Sequence, residues 1–150
     1  MGKRNREYSI LMADDDADDC LLVREALDEI DREYALRIVR DGQQLVDYLR
    51  RRGPFGPPAD APRPDLILLD LKMPKKDGRE ALEELKSDPG LASIPVVVLT
   101  TSTAADDVVQ CYRTGVNTYM TKPATFRGLV DLIRTLGKYW FELAELPEPE

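Results

Sequence analysis

The stretch ILMADDDADDCLLVREAL, residues 10–27, places five aspartates within six positions, directly after a run of apolar residues. The apolar run is typical of a strand buried on both faces, because apolar and polar residues do not alternate in it. After the aspartates, Val23, Ala26 and Leu27 recur at the spacing of one helix face. The stretch therefore predicts a strand, an acidic turn and an amphipathic helix in succession.

The same alternation of short apolar runs and helical segments continues along the chain. Strands are predicted at 8–13, 35–39, 65–69, 94–99 and 117–120. Helices are predicted at 18–33, 42–52, 78–87, 104–114 and 125–143. Five units of this kind indicate an α/β fold, a doubly wound five-stranded parallel sheet with helices on both faces. The expected strand order is the flavodoxin-like 2-1-3-4-5.

The composition fits one globular domain and excludes several classes of protein. With 150 residues, 43% of them hydrophobic, the chain can bury a core without disulfides. Its longest apolar runs have four or five residues, far short of the roughly 20 that span a membrane. A net charge of −7 argues against nucleic acid as a direct partner. Two widely separated cysteines and no secretory signal predict a cytoplasmic location.

Histidine is absent from the sequence. This excludes a Ser-His-Asp triad, a Cys-His pair, a zinc site with histidine ligands and a phosphohistidine within this chain. Any chemistry must therefore rest on Asp, Glu, Lys, Thr and Ser. Residues 50–64, RRRGPFGPPADAPRP, contain five prolines and predict a surface loop that serves as a spacer or a contact.

Polar side chains follow four of the five predicted strands. Asp14 and Asp15 follow the first strand, Asp70 the third, Thr100 the fourth and Lys122 the fifth. Ligands of open α/β sheets bind outside the carboxyl ends of the strands, so these side chains are expected to share one crevice. A single such residue would be explained as a solvated loop residue, whereas all of them together predict a site.

The residue types at these strand ends suit phosphoryl chemistry. Carboxylates held close together repel one another unless a cation lies among them, and oxygen ligands select a hard ion such as Mg²⁺. Lys122 and Thr100 can each bind a phosphoryl oxygen through a charged or neutral donor. Asp70, alone at the end of its strand, is then the expected nucleophile for an aspartyl phosphate.

Three segments resemble the receiver domains of two-component response regulators. They are DLILLDLKMPKKDG at 65–78, PVVVLTTS at 95–102 and YMTKPA at 119–124, and the resemblance extends over about 8–143. It implies a signalling phosphoacceptor rather than an enzyme, formed by one receiver domain over 1–150 with an acidic tail at 144–150 and no output domain.

The resemblance also implies individual roles. Asp70 is the phosphoacceptor, and Thr100 and Lys122 assist it. The metal ligands are Asp14, Asp15 and Asp70 with the backbone carbonyl of Lys72. Thr100 and Tyr119 form the switch that responds to phosphorylation, and the peptide bond before Pro123 is expected to be cis.

The expected partners follow from the same resemblance. A sensor histidine kinase donates the phosphoryl group, and a downstream protein, not identified by the sequence, receives the signal. The segments RRRGPFG and YWFEL are similar to receivers that partner bacterial phytochromes. A homodimer is expected through the fourth helix, fifth strand and fifth helix, with Tyr139, Trp140 and Phe141 as aromatic anchors.

A calcium-binding loop is an alternative interpretation of the opening stretch. Asp14, Asp16 and Asp18 occupy the first, third and fifth positions of an EF-hand loop, and Glu25 occupies the twelfth. The sixth position, however, holds Asp19 instead of glycine, and the preceding segment is a predicted strand. In the receiver interpretation, Asp16 or Asp18 caps the first helix and Asp19 lies in its first turn.

Two further alternatives keep the predicted fold. An aspartate phosphatase needs a second acid two residues after its nucleophile, and Lys72 holds that position. A receiver-shaped interaction module that is never phosphorylated would not need the complete set of polar strand ends.

Overall fold

A computed structural model describes residues 7–30 and 33–147 of the chain. It contains a five-stranded parallel sheet in the order β2-β1-β3-β4-β5, which confirms the predicted α/β class and strand order. The strands are β1 Tyr8–Ala13, β2 Tyr34–Val39, β3 Leu66–Leu69, β4 Val96–Thr100 and β5 Thr118–Thr121. The helices are α1 Ala17–Asp28, α2 Gly42–Arg50, α3 Gly78–Ser87, α4 Ala105–Thr114 and α5 Phe126–Gly137.

The sheet separates two hydrophobic cores. Successive residues of a strand point to opposite faces, so Ile67 and Leu69 of β3 join one core while Leu66 and Leu68 join the other. Helices α2, α3 and α4 cover the first core, and α1 and α5 cover the second. Burial on both faces explains why the strands carry uninterrupted apolar runs.

Helices α1 and α5 end earlier than predicted. Helix α1 ends at Asp28. Ile30 lies beyond this end but still packs against the core, so the apolar spacing in the sequence continues past the end of the helix. Helix α5 ends at Gly137 and passes into a π-helical segment, Lys138–Leu143. The bounds of α3 agree with the prediction.

The π-helical segment determines which of the three adjacent aromatic residues is exposed. Phe141 is buried and stacks on Tyr8 with ring centroids 4.2 Å apart, and the Tyr8 hydroxyl donates to the Phe141 carbonyl at 2.9 Å. Trp140 is 9% exposed, whereas Tyr139 is 54% exposed. Assigning Phe141 and Trp140 to an interface was therefore wrong, because both belong to the core of their own domain, whereas the assignment of Tyr139 stays a prediction.

Residues 50–64 pack against the domain. A short 3₁₀ turn, Gly53–Phe55, places Phe55 against Tyr48 of α2 with ring centroids 5.3 Å apart. The Tyr48 hydroxyl donates to the Pro62 carbonyl at 2.9 Å.

Among the described residues the cis peptide bond is Pro57–Pro58, so the expectation of a cis bond before Pro123 is wrong. The bond before Pro123 is trans, which is the commoner form for X–Pro bonds.

Among the residues that the structure describes, no helix combines the length and apolar character needed to cross a membrane. Both cysteines, Cys20 and Cys111, are free thiols packed in the two cores.

Candidate functional site

The predicted site residues meet at the carboxyl edge of the sheet. Asp14 directly follows β1, Asp70 follows β3, Thr100 ends β4 and Lys122 follows β5. Because the strands are parallel and adjacent, these positions lie side by side. Asp14, Asp70 and Thr100 are buried, and their polar atoms are bound within the protein: Thr100 binds Asp70, and Lys122 binds both Asp14 and Asp70.

Asp14, Asp15 and Asp70 form a compact group of carboxylates. Each places one oxygen within 4.8 Å of the others, with Asp14 and Asp70 buried and Asp15 exposed. Such a donor set of oxygens fits a hard divalent ion, which keeps some of its waters on the exposed side. Asp15 thus opens the group to solvent, while Asp14 and Asp70 form its floor.

Lys122 supplies the positive charge that faces these carboxylates. Its Nζ lies 2.8 Å from Asp14 Oδ2, 2.6 Å from Asp19 Oδ2 and 3.2 Å from Asp70 Oδ2. Burial disfavours the ammonium, but the hydrogen bonds to Asp14 and Asp19 outweigh that effect and raise the pKa of Lys122. Lys122 therefore remains charged at physiological pH.

Burial has the opposite consequence for Asp14. Loss of hydration raises the pKa of Asp14 to about 6, although the hydrogen bond from Lys122 works against the shift. The amide of Asp16 also donates to Asp14 Oδ1 at 2.9 Å. Asp14 is thus a carboxylate whose ionised form depends on neighbouring positive charge.

Asp70 is held in one orientation by hydrogen-bond donors to both of its carboxylate oxygens, with Lys122 bound to Oδ2. The Thr100 hydroxyl donates to Asp70 Oδ1 at 2.7 Å, and the Lys72 amide donates to the same oxygen at 3.3 Å. The main chain of Lys72 thus lies beside the Asp70 carboxylate, in agreement with its predicted place at the site. Its carbonyl as a metal ligand stays a prediction.

Gly78 allows the chain to return closely to Asp70. A Cβ atom at Gly78 would lie 2.3 Å from the Asp70 carbonyl oxygen, which no side chain can tolerate. The Gly78 amide donates to the Leu71 carbonyl at 3.0 Å, and Asp77 caps α3 with a capping box. The DG pair at 77–78 therefore fixes the loop that follows the proposed acceptor.

The five aspartates of the opening stretch divide between the site and the helix. Asp16 is the N-cap of α1 and accepts hydrogen bonds from the amides of Asp18 and Asp19. Of the two predicted caps, Asp16 and Asp18, the structure therefore has Asp16. The segment before Asp14 is strand β1 rather than a helix. Both observations contradict an EF-hand, in which the side chain of Asp16 would have to serve the ion.

The structure also shows contacts that the sequence did not reveal. Asp19 of α1 binds Lys122, which lies 103 positions away in sequence.

A second group of contacts involves α4. Asp107 of α4 accepts from the Ser102 hydroxyl at 2.7 Å and from Arg79 Nε at 2.8 Å. We call these three residues the Ser102–Asp107–Arg79 cluster. The Tyr119 hydroxyl donates to the Ser102 carbonyl at 2.9 Å, which links the predicted switch residue to this cluster.

Comparison with known proteins identifies the family. The model of the response regulator receiver domain matches residues 10–134. The chain belongs to this family. Among curated receiver proteins, the response regulator Rcp1 of Synechocystis sp. strain PCC 6803 is 43% identical over 138 residues, which cover 92% of each chain.

Solved structures of response regulators share the same fold. The phosphorylated cyanobacterial phytochrome response regulator RcpA gives a TM-score of 0.89 at 43% identity, over 95% of this chain and 100% of that one. The Mn²⁺-bound form of Rcp1 gives 0.86 at 42% identity, over 94% and 99% of the two chains. This receiver domain is therefore similar to regulators of phytochrome signalling.

Proposed function

We propose that this receiver domain accepts a phosphoryl group on Asp70 from a partner histidine kinase, with the help of Mg²⁺. The observation that carries the proposal is the environment of Asp70, whose carboxylate contacts Thr100 and Lys122 and lies within reach of Asp14 and Asp15. This is the full set of groups that a phosphoryl transfer to carboxylate needs: nucleophile, cation site and donors for the phosphoryl oxygens.

In the proposed reaction, a carboxylate oxygen of Asp70 attacks the phosphorus of a phosphohistidine. A P–O bond forms as the P–N bond breaks, and the electron pair of that bond returns to the imidazole nitrogen of the kinase. Lys122 and Thr100 donate hydrogen bonds to the Asp70 carboxylate in this structure. During the reaction they donate instead to oxygens of the arriving phosphoryl group. The donor is another protein, since this chain contains no histidine.

The acidic group fits a divalent ion, and Asp14, Asp15 and Asp70 would hold it together with the carbonyl of Lys72. When bound, such an ion supplies positive charge that offsets the charge of the transferring phosphoryl group. Asp14 and Asp70 are buried, so they would shield a bound ion from bulk water. The Mn²⁺-bound structure of Rcp1 supports a divalent ion, and Mg²⁺ is the proposed one.

The proposed signal is a change in protein binding rather than turnover of a substrate. Similarity to RcpA and Rcp1 supports a bacterial phytochrome as the kinase. The expected output is contact with a downstream protein or formation of a homodimer through α4, β5 and α5. A cytoplasmic location completes the proposal.

Mass spectrometry of the intact protein tests the acceptor. Incubation with Mg²⁺ and acetyl phosphate should add one phosphoryl group to the wild type and to Asp18→Asn, whose exposed carboxylate lies outside the acidic group. Asp70→Asn should gain none. Equal labelling of the Asp70 variant would refute the assignment, and an unlabelled wild type would favour an interaction module that is not phosphorylated.

A further inference from the structure

Lys122 has one acidic partner that lies outside the candidate metal ligands. Two of its three contacts, Asp14 and Asp70, belong to the group of carboxylates that fits a divalent ion. The third contact, Asp19, is the shortest at 2.6 Å and is not part of that group. Asp19 is therefore able to bind the ammonium at the same time as an ion occupies the other carboxylates.

An ion and the Lys122 ammonium compete for the same oxygens. A cation coordinated by Asp14 and Asp70 withdraws the negative charge that both carboxylates now offer to Lys122, and it repels the ammonium as well. The Lys122 side chain is 10% exposed, so water replaces these partners poorly. A buried ammonium without a partner is strongly disfavoured. If binding of the ion left Lys122 unpaired, the free energy of metal binding would be reduced by the cost of that unpaired charge.

The position of Asp19 suits it to keep the ammonium during this exchange. Asp19 is the third residue of α1, and its amide is bound by the side chain of the N-cap Asp16 at 3.2 Å, which fixes the first turn. A cavity of about 130 Å³ borders both Asp19 and Lys122, so the Lys122 side chain has space to adjust while its ammonium keeps the contact with Asp19.

We propose that Asp19 is a positioning residue that retains the Lys122 ammonium when a divalent ion takes Asp14 and Asp70. The inference rests on the proposed function, because it requires that ion at the phosphoacceptor site. Its consequence is thermodynamic: a retained ammonium no longer opposes the ion, so Asp19 raises the affinity for divalent metal by acting through Lys122.

A double-mutant cycle on metal affinity tests this role. The affinity for Mn²⁺ is measured by electron paramagnetic resonance of the free ion, in the wild type, Asp19→Asn, Lys122→Gln and the double variant. Asp19→Asn should weaken Mn²⁺ binding roughly tenfold when Lys122 is present and by less than about twofold in the Lys122→Gln background. The spectroscopic titration reads binding directly and needs no phosphorylation.

The control is Asp18→Asn, which removes the same charge from the neighbouring position of α1. The amide of Asp18, like that of Asp19, donates to the side chain of the N-cap Asp16. The carboxylate of Asp18 is not among those that contact Lys122. This variant should stay within about twofold of the wild type.

Two results would overturn the inference. If Asp19→Asn weakens binding equally with and without Lys122, Asp19 acts on the ion through its charge and not through the lysine. If the wild type binds no Mn²⁺, the proposed metal site fails together with the inference. The first result would refute the inference alone and leave the proposed function intact.

Discussion

Burial of the Asp14 carboxylate in the candidate site lowers the stability of the folded domain. The side chain ionises near 3.8 in an unfolded chain, whereas burial raises its pKa to about 6 in the folded one. Between these values the folded state binds more protons than the unfolded state. The free energy of unfolding therefore falls as the pH rises from about 4 to about 6, and the full loss is present at neutral pH.

Asp14→Asn should remove this loss. In EDTA at about pH 7.5, we expect its free energy of unfolding to exceed that of the wild type by about 2 kcal/mol, and at about pH 3.5 we expect no difference. Urea denaturation at the two pH values measures the effect. Asp18→Asn, an exposed neighbour, serves as the control and should not gain stability. A variant that is less stable than the wild type at neutral pH would contradict the assigned pKa shift.

The sequence predicted those site residues whose position depends only on strand ends. Asp14, Asp70 and Lys122 follow strands, and the strand order brings them together without further knowledge of packing. Asp19 was assigned to the first turn of α1, which is correct but incomplete, because its contact with Lys122 depends on how α1 sits beside the loop after β5. Local spacing carries no information about such a contact.

Helix α4 has fewer buried residues than α1, α2, α3 and α5. Cys111 is its buried residue, and its N-cap, Ala104, makes no side-chain hydrogen bond to the first turn. The Ser102–Asp107–Arg79 cluster instead holds the first turn of α4 by tying it to α3 and to the loop after β4. Hydrogen bonds from Ser102 and Arg79 lower the pKa of Asp107, so its stabilising effect is present above pH 3.8 and is lost as the pH falls through the lower folded value.

Asp107→Asn should therefore loosen α4. Amide hydrogen exchange in α4 should become several-fold faster at neutral pH, while exchange in the strands changes little. Asp106→Asn, the exposed neighbour in the same turn, is the matched control and should leave exchange unchanged. Equal acceleration in both variants would show that the charge of the first turn matters more than the cluster.

The end of α5 illustrates what element prediction from sequence does not reach. The apolar pattern predicted one continuous helix to residue 143, and the chain does remain helical there. A π-helical segment turns each residue by a smaller angle than an α-helix does, so the faces shift. Phe141 consequently enters the core, and Tyr139 points to solvent.

Two substitutions separate these faces. Phe141→Ala should lower the free energy of unfolding by about 3 kcal/mol, because it leaves a cavity beside Tyr8. Tyr139→Ala should lower it by less than about 1 kcal/mol, since this ring is half exposed and touches Trp140 alone among the aromatic residues described. Chemical denaturation of both variants gives the comparison, and similar losses would contradict the packing of Phe141.

At the scale of the whole molecule, the exposed apolar residues indicate where a second copy would bind. Val109 and Tyr112 of α4 are 49% and 50% exposed, and Tyr139 lies just beyond α5. Tyr119 of β5, the predicted switch residue, lies between these helices in sequence and donates its amide hydrogen to the Tyr112 hydroxyl. A change at Asp70 that moves Thr100 and Tyr119 would thus reach this face, and we predict a symmetric dimer through it.

Val109→Glu should prevent that dimer, because each charge would face its symmetry mate. Sedimentation of the wild type with an acyl-phosphate mimic should show the dimer, and the variant should stay monomeric. Leu21→Glu on α1, where Leu21 is 54% exposed, makes the same chemical change on another face and should not alter the assembly. A wild type that is monomeric with and without the mimic would refute the predicted dimer.

The contact between Tyr8 and Phe141 joins positions 133 apart in sequence. During synthesis, β1 leaves the ribosome first and can pair with β2 and β3 long before α5 is made. The contact of Tyr8 with Phe141 forms only when Phe141 has also emerged, and α5, which covers the second core, is made at the same late stage, so the second core stays open until then. For most of its translation, the nascent domain therefore exposes to chaperones the strand residues that form the second core. These residues are covered only when Phe141 has been made.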